Sequence, residues 1–491
     1  MQHYSRSNDM KRSIIFFVFL ASLVVHGQVV PLGDINHDGE TGVADLTKLV
    51  HEITAATPYW AGYDMNCDGE VGVADITKLV SIVMGNDEAA PTYSGTLPVM
   101  FINTLDKEPV LSRTNYVDAT YYIDPMGTPG IQPVGSPDKP MSMSIRGRGN
   151  STWLNIKRPY RIKLNNKQSL LGIAPNKHYC LMTHAEDWHG FLHDEMGFEV
   201  SRRMGMPFTV DHKPLELVMN GTYLGLYFLT QKIRVASNCV DIIEQQDNAT
   251  DPNEISGGWL IEISNYNEDN QVVFQEGGKH ATMVTVHTPE KMSDAQYGYI
   301  KNFLEQTDAL IYTSDKEDNS WEDRINVDSL ACFYIVNEIV DDTEAFSGSC
   351  WMYKNRGETE KLIFGPVWDF GNSMERWNHE DQFYYLPSFI YISKPLVCFP
   401  HWISEIAKFP HFQQVVRQHW VRFYQDNDEN SLLDYIDRFT ETISSAAQHD
   451  FIRWPMQHGN QLSWRHSLYK DLLMKKLDFL NDEWGDNVPL Q

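Results

Sequence analysis

Basic residues are scarce in this chain: 40 Lys and Arg stand against 66 Asp and Glu, a formal net charge of −26 over 491 residues. That deficit argues against a nucleic-acid binder, because affinity for the phosphate backbone rests on Lys and Arg. Cysteine is scarce too. The six present (Cys67, Cys180, Cys239, Cys332, Cys350, Cys398) show no CxxC or other metal-ligand spacing, and their pairing stays open. Long apolar runs are missing except near the start, where Arg6, Lys11 and Arg12 precede an apolar stretch from Ile14 to about Val25. This stretch is short for a bilayer span and is followed by small residues, so it reads as a signal peptide over residues 1–27 with Gln28 as the mature N-terminus. Its shortness disfavours a retained anchor, and no Cys follows it to accept a lipid. The mature chain is expected to be secreted, at the cell surface, extracellular or periplasmic, with no later membrane span. What is present is enough to fold: 42% hydrophobic and 12% aromatic residues support a sizeable core. The length implies at least two units.

A repeat with a 30-residue period follows, DINHDGETGVADLTKLV from Asp34 and DMNCDGEVGVADITKLV from Asp64. Oxygen side chains fall at loop positions 1, 3, 5 and 12: Asp34, Asn36, Asp38 and Asp45, then Asp64, Asn66, Asp68 and Asp75. Position 6 is Gly39 or Gly69, where the loop must turn sharply, and position 7, Glu40 or Glu70, offers its backbone carbonyl. A hard cation needs six to eight converging oxygens, and this spacing supplies them, so two Ca²⁺ ions are expected. Leu46, Leu49 and Val50, matched by Ile76, Leu79 and Val80, carry helical spacing straight after each loop.

The repeat resembles a type I dockerin, in which each calcium loop is followed by one helix, over about residues 32–84. The resemblance implies a small all-α module that docks onto a cohesin-like partner. Positions 10 and 11, Val43-Ala44 and Val73-Ala74, are identical in the two copies, which implies docking in either of two orientations. Position 9, often a polar residue in that family, is Gly42 and Gly72. An acidic stretch with Pro and Gly, residues 85–96, reads as a linker.

From Leu97 the texture becomes β-rich. Val99–Leu105, Ala119–Ile123, Met141–Arg146 and Tyr160–Leu164 read as strands, and Asn220-Gly221 between two apolar runs reads as a type I′ hairpin turn. Trp259–Ile263 and Met283–Val286 read as further strands. After about Ser293 the pattern is mainly helical, interrupted by an expected hairpin of Cys350–Tyr353 and Lys361–Phe364. The expected fold class is α+β.

Three polar clusters stand out. Arg146, Arg148, Lys157, Arg161 and Lys163 gather cations around Gly147 and Gly149, suiting an anion, although a solvated basic strand would look the same. Asn337-Glu338-Ile-Val-Asp341-Asp342-Thr-Glu344 crowds four carboxylates after an apolar helix, and they repel one another unless solvated, paired or metal-bound. Pro366-Val-Trp368-Asp369-Phe370-Gly371 sets one carboxylate past a strand among aromatics; a structural, hydrogen-bonded Asp is the alternative there. Cations for phosphates and carboxylates for Mg²⁺ are the parts phosphoryl transfer needs.

The segments IRGRGNSTW, KRPYRIKL, NGTYLGLYFLTQKI, GGWLIEI and FGPVWDFGNS resemble the spore coat protein H (CotH) kinase family, over residues 97–480. The resemblance implies an atypical protein-kinase-like fold that transfers phosphate from ATP, with Mg²⁺ or Mn²⁺, to a protein. It assigns Lys157, Arg161 and Lys163 to the nucleotide phosphates and Asp369 to the metal. Asp342 and Glu344 fall in the segment supplying the catalytic or second metal carboxylate. Departures are Gln231 in place of Glu, Ser264 in place of Asp and Gly371 at the end of WDFG; nor does an Asn follow Asp341 or Asp342 at the spacing of a kinase catalytic loop. These leave a second expectation, a catalytically silent kinase-like module for binding or structure at the cell surface. A glycoside hydrolase is a third, since paired carboxylates are present.

Overall fold

The computed structural model describes residues 33–485, apart from 37, 39, 67, 68, 85–91, 185–188, 265, 267, 375–387, 391–400, 428 and 455–460. The signal-peptide segment and most of the linker lie outside the described residues.

Seven strands close a barrel in the order β1-β2-β3-β4-β5-β7-β6. They are β1 (Val99–Thr104), β2 (Val117–Asp124), β3 (Met141–Gly147), β4 (Tyr160–Gln168), β5 (Asn176–Met182), β6 (Lys213–Met219) and β7 (Thr222–Gln231). Neighbours are antiparallel except β1 and β6, whose parallel pairing of Val99–Ile102 with Glu216–Met219 makes the closure. Asn220 (φ 51°) and Gly221 (φ 83°) both take the left-handed conformation a type I′ turn demands, joining β6 to β7. Alternation on β4 sends Tyr160, Ile162 and Leu164 into the barrel and leaves Arg161 and Lys163 outside.

A second, five-stranded sheet runs β12-β11-β8-β10-β9, from β8 (Trp259–Ile263), β9 (Gln271–Glu276), β10 (His280–Thr288), β11 (Cys350–Lys354) and β12 (Leu362–Phe364). Helices supply the rest: α1 (Val43–Thr54), α2 (Val73–Val83), α3 (Leu192–Met204), α4 (Asp294–Ile311), α5 (Val327–Ile339), α6 (Pro410–Asp426), α7 (Glu429–Arg453) and α8 (Leu462–Trp484). The mixture is α+β, as expected. Helix α5 is apolar on every side and buried from Ser329 to Ile339, which makes it the axis of the helical half. Asn326 caps it, accepting the Ser329 amide at 2.8 Å.

The described residues between 33 and 84 are packed against the barrel. Ile35, Leu49, Trp60 and Leu79 share one buried cluster with the barrel interior. Arg158 donates to the Tyr59 carbonyl at 3.0 Å, and Arg453 donates to the Ala61 carbonyl at 2.6 Å and stands 4.0 Å from the Asp64 carboxylate. Four described cysteines, Cys180, Cys239, Cys332 and Cys350, are buried free thiols that serve as small apolar fillers.

Candidate functional site

Carboxylates from three elements meet beside the barrel. Asp369 sits past β12 in a left-handed conformation (φ 66°) that turns its side chain into the open. The loop after α5 pairs with the same segment through the Asp342–Ser373 bridge and the Met374 amide on the Asp341 carbonyl. Asp342 and Glu344 are thereby brought to Asp369. Crowding by the surrounding protein, then the neighbouring Asp194, pushes the Asp369 carboxyl up to about 6, against the pull of Arg148 and the Ser349 hydroxyl. The side chain is exposed, so solvent screening moderates the repulsion. Burial and the same neighbours drive Asp342 well above the ordinary carboxylate range, and burial and Asp369 raise Glu344. Asp342 is 1% exposed whereas Glu344 is open to solvent.

The other two acids of the cluster after α5 have a different task. Lys476 on α8 reaches Glu338 at 2.9 Å and Asp341 at 3.0 Å, all three side chains at 0% exposure. Glu338 also accepts the Ile390 amide. This buried triad pins the turn that presents Asp342 and Glu344.

The basic cluster divides. Arg148 lies over the Trp368 ring, 5.7 Å from its centroid, and draws Asp369 down, so the GRGN segment and the WDFG segment face one space. Arg146 and Arg161 are register partners on β3 and β4. Arg161, Lys232, Arg234 and Lys163 act on His178, which burial and these cations depress to about 4. Burial, then Arg161, brings Lys232 down to about 8. Such mutual depression marks cations close enough to share one anion. Lys157 stands apart. It lies before β4 rather than on it, is 1% exposed, and gives its ammonium to Asp450 at 2.6 Å and the Leu226 carbonyl at 2.7 Å. A lysine so spent holds the barrel to α7 and does not reach a phosphate. Gly147 is required by packing, since a Cβ there would stand 2.3 Å from the Trp153 ring.

Sequence reasoning missed Asp194 and Glu262. Asp194, 5% exposed at the start of α3, accepts the Phe370 amide at 2.9 Å and so positions the WDFG segment from below. Glu262 on β8 bonds His287 at 2.7 Å and adds to the charge on Asp369. The run His193-Asp194-Glu195, three polar residues inside an otherwise apolar segment, was the available signal.

A cavity of about 460 Å³ lies elsewhere, lined among others by Arg203, Asp328, Cys332, His419 and Arg422. Cys332 Sγ is 3.5 Å from His419 Nδ1, and His419 Nε2 is 2.9 Å from Asp328. Burial drives that thiol up to about 12, so it is no ready nucleophile. The cavity sits at the start of α5, roughly 20 Å along the helix from its acidic end at 1.5 Å per residue.

The acidic loops before α1 and α2 repeat in structure as in sequence. Asp45, 1% exposed, accepts the amides of Ile35, Asn36 and Gly42 at 2.7, 2.9 and 2.8 Å. Asp75, also 1% exposed, accepts those of Met65, Asn66 and Gly72 at 2.7, 3.3 and 2.7 Å. Asp34 and Asp64 are buried, and Asn36 and Asp38 bond each other. Glu40 and Glu70 point their side chains to solvent, leaving only their backbone for a loop ligand. Asp68 lies outside the described residues.

A barrel joined to a helical half, with carboxylates and cations at the junction, fits an α+β domain of the kinase-like class. The chain matches the family described as CotH kinase protein over residues 145–474, about two thirds of its length, and belongs to that family. No curated protein matches it.

Proton linkage at this junction is testable. Asp369 has its carboxyl raised, so the folded state binds that proton more tightly than the unfolded chain does. Its contribution to stability is therefore present below pH 4 and lost as pH rises through about 6, unless a cation takes the proton's place. Mn²⁺ held by Asp369 would accordingly bind more weakly at pH 5 than at pH 7.5. Isothermal titration at both pH values checks this; equal affinities would refute it.

Proposed function

We propose that this chain is an exported phosphotransferase that moves phosphate from ATP to a protein or surface acceptor, anchored by a calcium-dependent dockerin-like module. One observation carries the first half: Asp369, Asp342 and Glu344 converge where Arg148 of the basic segment also arrives. Asp342 and Glu344, both raised by burial and by Asp369, fit a divalent cation beside it, and Asp369 with Asp342 would hold Mg²⁺ or Mn²⁺. A bound ion there would neutralise charge developing on the transferred phosphoryl group. Arg148, Arg146, Arg161 and Lys163 supply the cations for nucleotide phosphates. Glu344, open to solvent, is placed to accept the proton of the acceptor hydroxyl.

Two of the departures from the family pattern, Gln231 and Ser264, have structural roles. Gln231 accepts the Asp211 amide at 3.0 Å and the Ser264 hydroxyl accepts the Tyr266 amide at 3.2 Å, both buried in backbone support. Negative charge enters instead from Asp194 and Glu262. The test is transfer from labelled ATP with Mg²⁺ or Mn²⁺ to casein-like and surface-protein acceptors. Wild-type protein that binds no nucleotide at millimolar ATP with either metal would overturn the reading in favour of a silent binding module.

The second half rests on buried carboxylates aimed into both loops of residues 32–84, which suit Ca²⁺. Val43 and Val73, each 73% exposed at equivalent positions, offer matching apolar contacts for a cohesin-like partner. Binding only to the folded loops stabilises them by mass action, about 2.7 kcal/mol per site at a hundredfold excess over Kd. Chelation is expected to expose Trp60 and open residues 33–84 to protease, with the large domain still folded. Unchanged tryptophan emission and unchanged cleavage after chelator would sink the calcium reading.

A further inference from the structure

Four side chains from three places in the fold form a chain beside the acidic site. His184 follows β5, His212 precedes β6, and Asp194 and Glu195 open α3. His184 Nε2 lies 2.7 Å from His212 Nε2. His212 Nδ1 lies 2.6 Å from a Glu195 oxygen, and His184 Nδ1 lies 3.5 Å from Asp194 Oδ2. A ring nitrogen that faces a carboxylate carries the proton. Both Nδ1 atoms face carboxylates, so the two Nε2 lone pairs point at each other.

Two lone pairs at that separation repel, and a cation between them removes the repulsion. Glu195 gives His212 the outer support found on metal-ligating imidazoles, a carboxylate on the nitrogen away from the ion, which fixes the tautomer and raises basicity. Asp194 adds an oxygen: one ligand atom from each of His184, Asp194 and His212 lies within 4.8 Å of the others. The surroundings are buried and largely aromatic. His212 stacks on Phe228 at 4.4 Å with an interplanar angle of 3°, Phe198 lies 5.4 Å away, and Tyr435 donates its hydroxyl to Glu195. The side chains of His184, Asp194, His212 and Glu195 are no more than 7% exposed.

We propose that His184, His212 and Asp194 form a binding site for one divalent transition-metal ion, zinc above all. Two imidazoles prefer zinc, cobalt, nickel or copper, whereas Mg²⁺ and Ca²⁺ prefer oxygen alone. The site is thus distinct in chemistry from the acidic loops and from Asp342, Glu344 and Asp369. Its role is positioning, because the other oxygen of Asp194 accepts the amide of Phe370, next to Asp369. The inference does not rest on phosphotransfer.

The experiment uses the full mature chain, stripped with chelator and dialysed against micromolar zinc in millimolar Ca²⁺ and Mg²⁺. About one equivalent of zinc retained by elemental analysis is expected, kept in Asp369→Asn and lost in His184→Ala and His212→Ala. Glu195→Gln should weaken zinc binding about 10- to 100-fold while leaving the ligands in place. Because the alanine variants could fail to fold, X-ray absorption on the zinc-loaded wild type is the second reading, and it should show two imidazole scatterers. Wild type that retains no transition metal, the pair then holding a proton only, would overturn the site. So would zinc that survives in both folded histidine variants, or absorption spectra without imidazole.

Discussion

Asp369→Asn is expected to reduce phosphotransfer by on the order of a hundredfold or more while leaving the fold at least as stable as wild type. Phosphoryl transfer is almost wholly electrostatic positioning, and the substitution removes the one exposed carboxylate that Asp194, Glu262 and Arg148 all act upon. Stability should not fall, because the change also removes a charge that its neighbours and its surroundings resist. Among the described residues the Ser349 hydroxyl gives the side chain a long bond, 3.3 Å, which an amide oxygen can accept. A structural role predicts the opposite pair of results: a lower melting temperature with no change in nucleotide binding. Rates with labelled ATP and melting curves on both proteins decide the matter.

Lys476→Met carries the largest expected cost to the fold. The lysine is fully buried between Glu338 and Asp341, and its removal leaves two buried carboxylates without their cation. Breaking a buried pair in this way costs about 3–5 kcal/mol, far beyond what a surface pair contributes. Denaturant midpoints should move accordingly. Combining it with Glu338→Gln and Asp341→Asn should recover part of the loss, because the stranded charges then disappear. A melting temperature within a degree of wild type for Lys476→Met alone would refute the assignment.

The parts of this protein legible in its sequence are those fixed by short-range chemistry. The Asn220-Gly221 turn, the outward Arg161 and Lys163 and the apolar α5 follow from conformation and period. What stayed hidden depended on partners distant along the chain. Lys157 reads as a free cation until Asp450, 293 residues away, is placed against it. Closure of the barrel depends on β1 meeting β6 in parallel, which no local pattern encodes. Helix α3 escaped notice because it buries His193, Asp194 and Glu195 along with Leu192 and Met196, so its inward face does not look apolar. That polarity is the mark of the site: the carboxylate holding the Asp369 segment had to come from inside.

The barrel's closure also bears on resistance to aggregation. An open sheet offers unpaired strand edges to other chains, and closure removes them. The second sheet keeps two edges, and each is blunted. β12 is only three residues long and is flanked by the Ile325 bridge, with the Leu362 amide on Arg324 and its carbonyl on Asn326. On β9, Lys301 of α4 caps the Val273 carbonyl at 2.7 Å, and the Asp308 carboxylate takes the Gly277 amide just beyond the strand. A cation placed on an edge carbonyl both occupies it and repels a second copy bearing the same lysine. Twelve strands are thus arranged with little left to template aggregation.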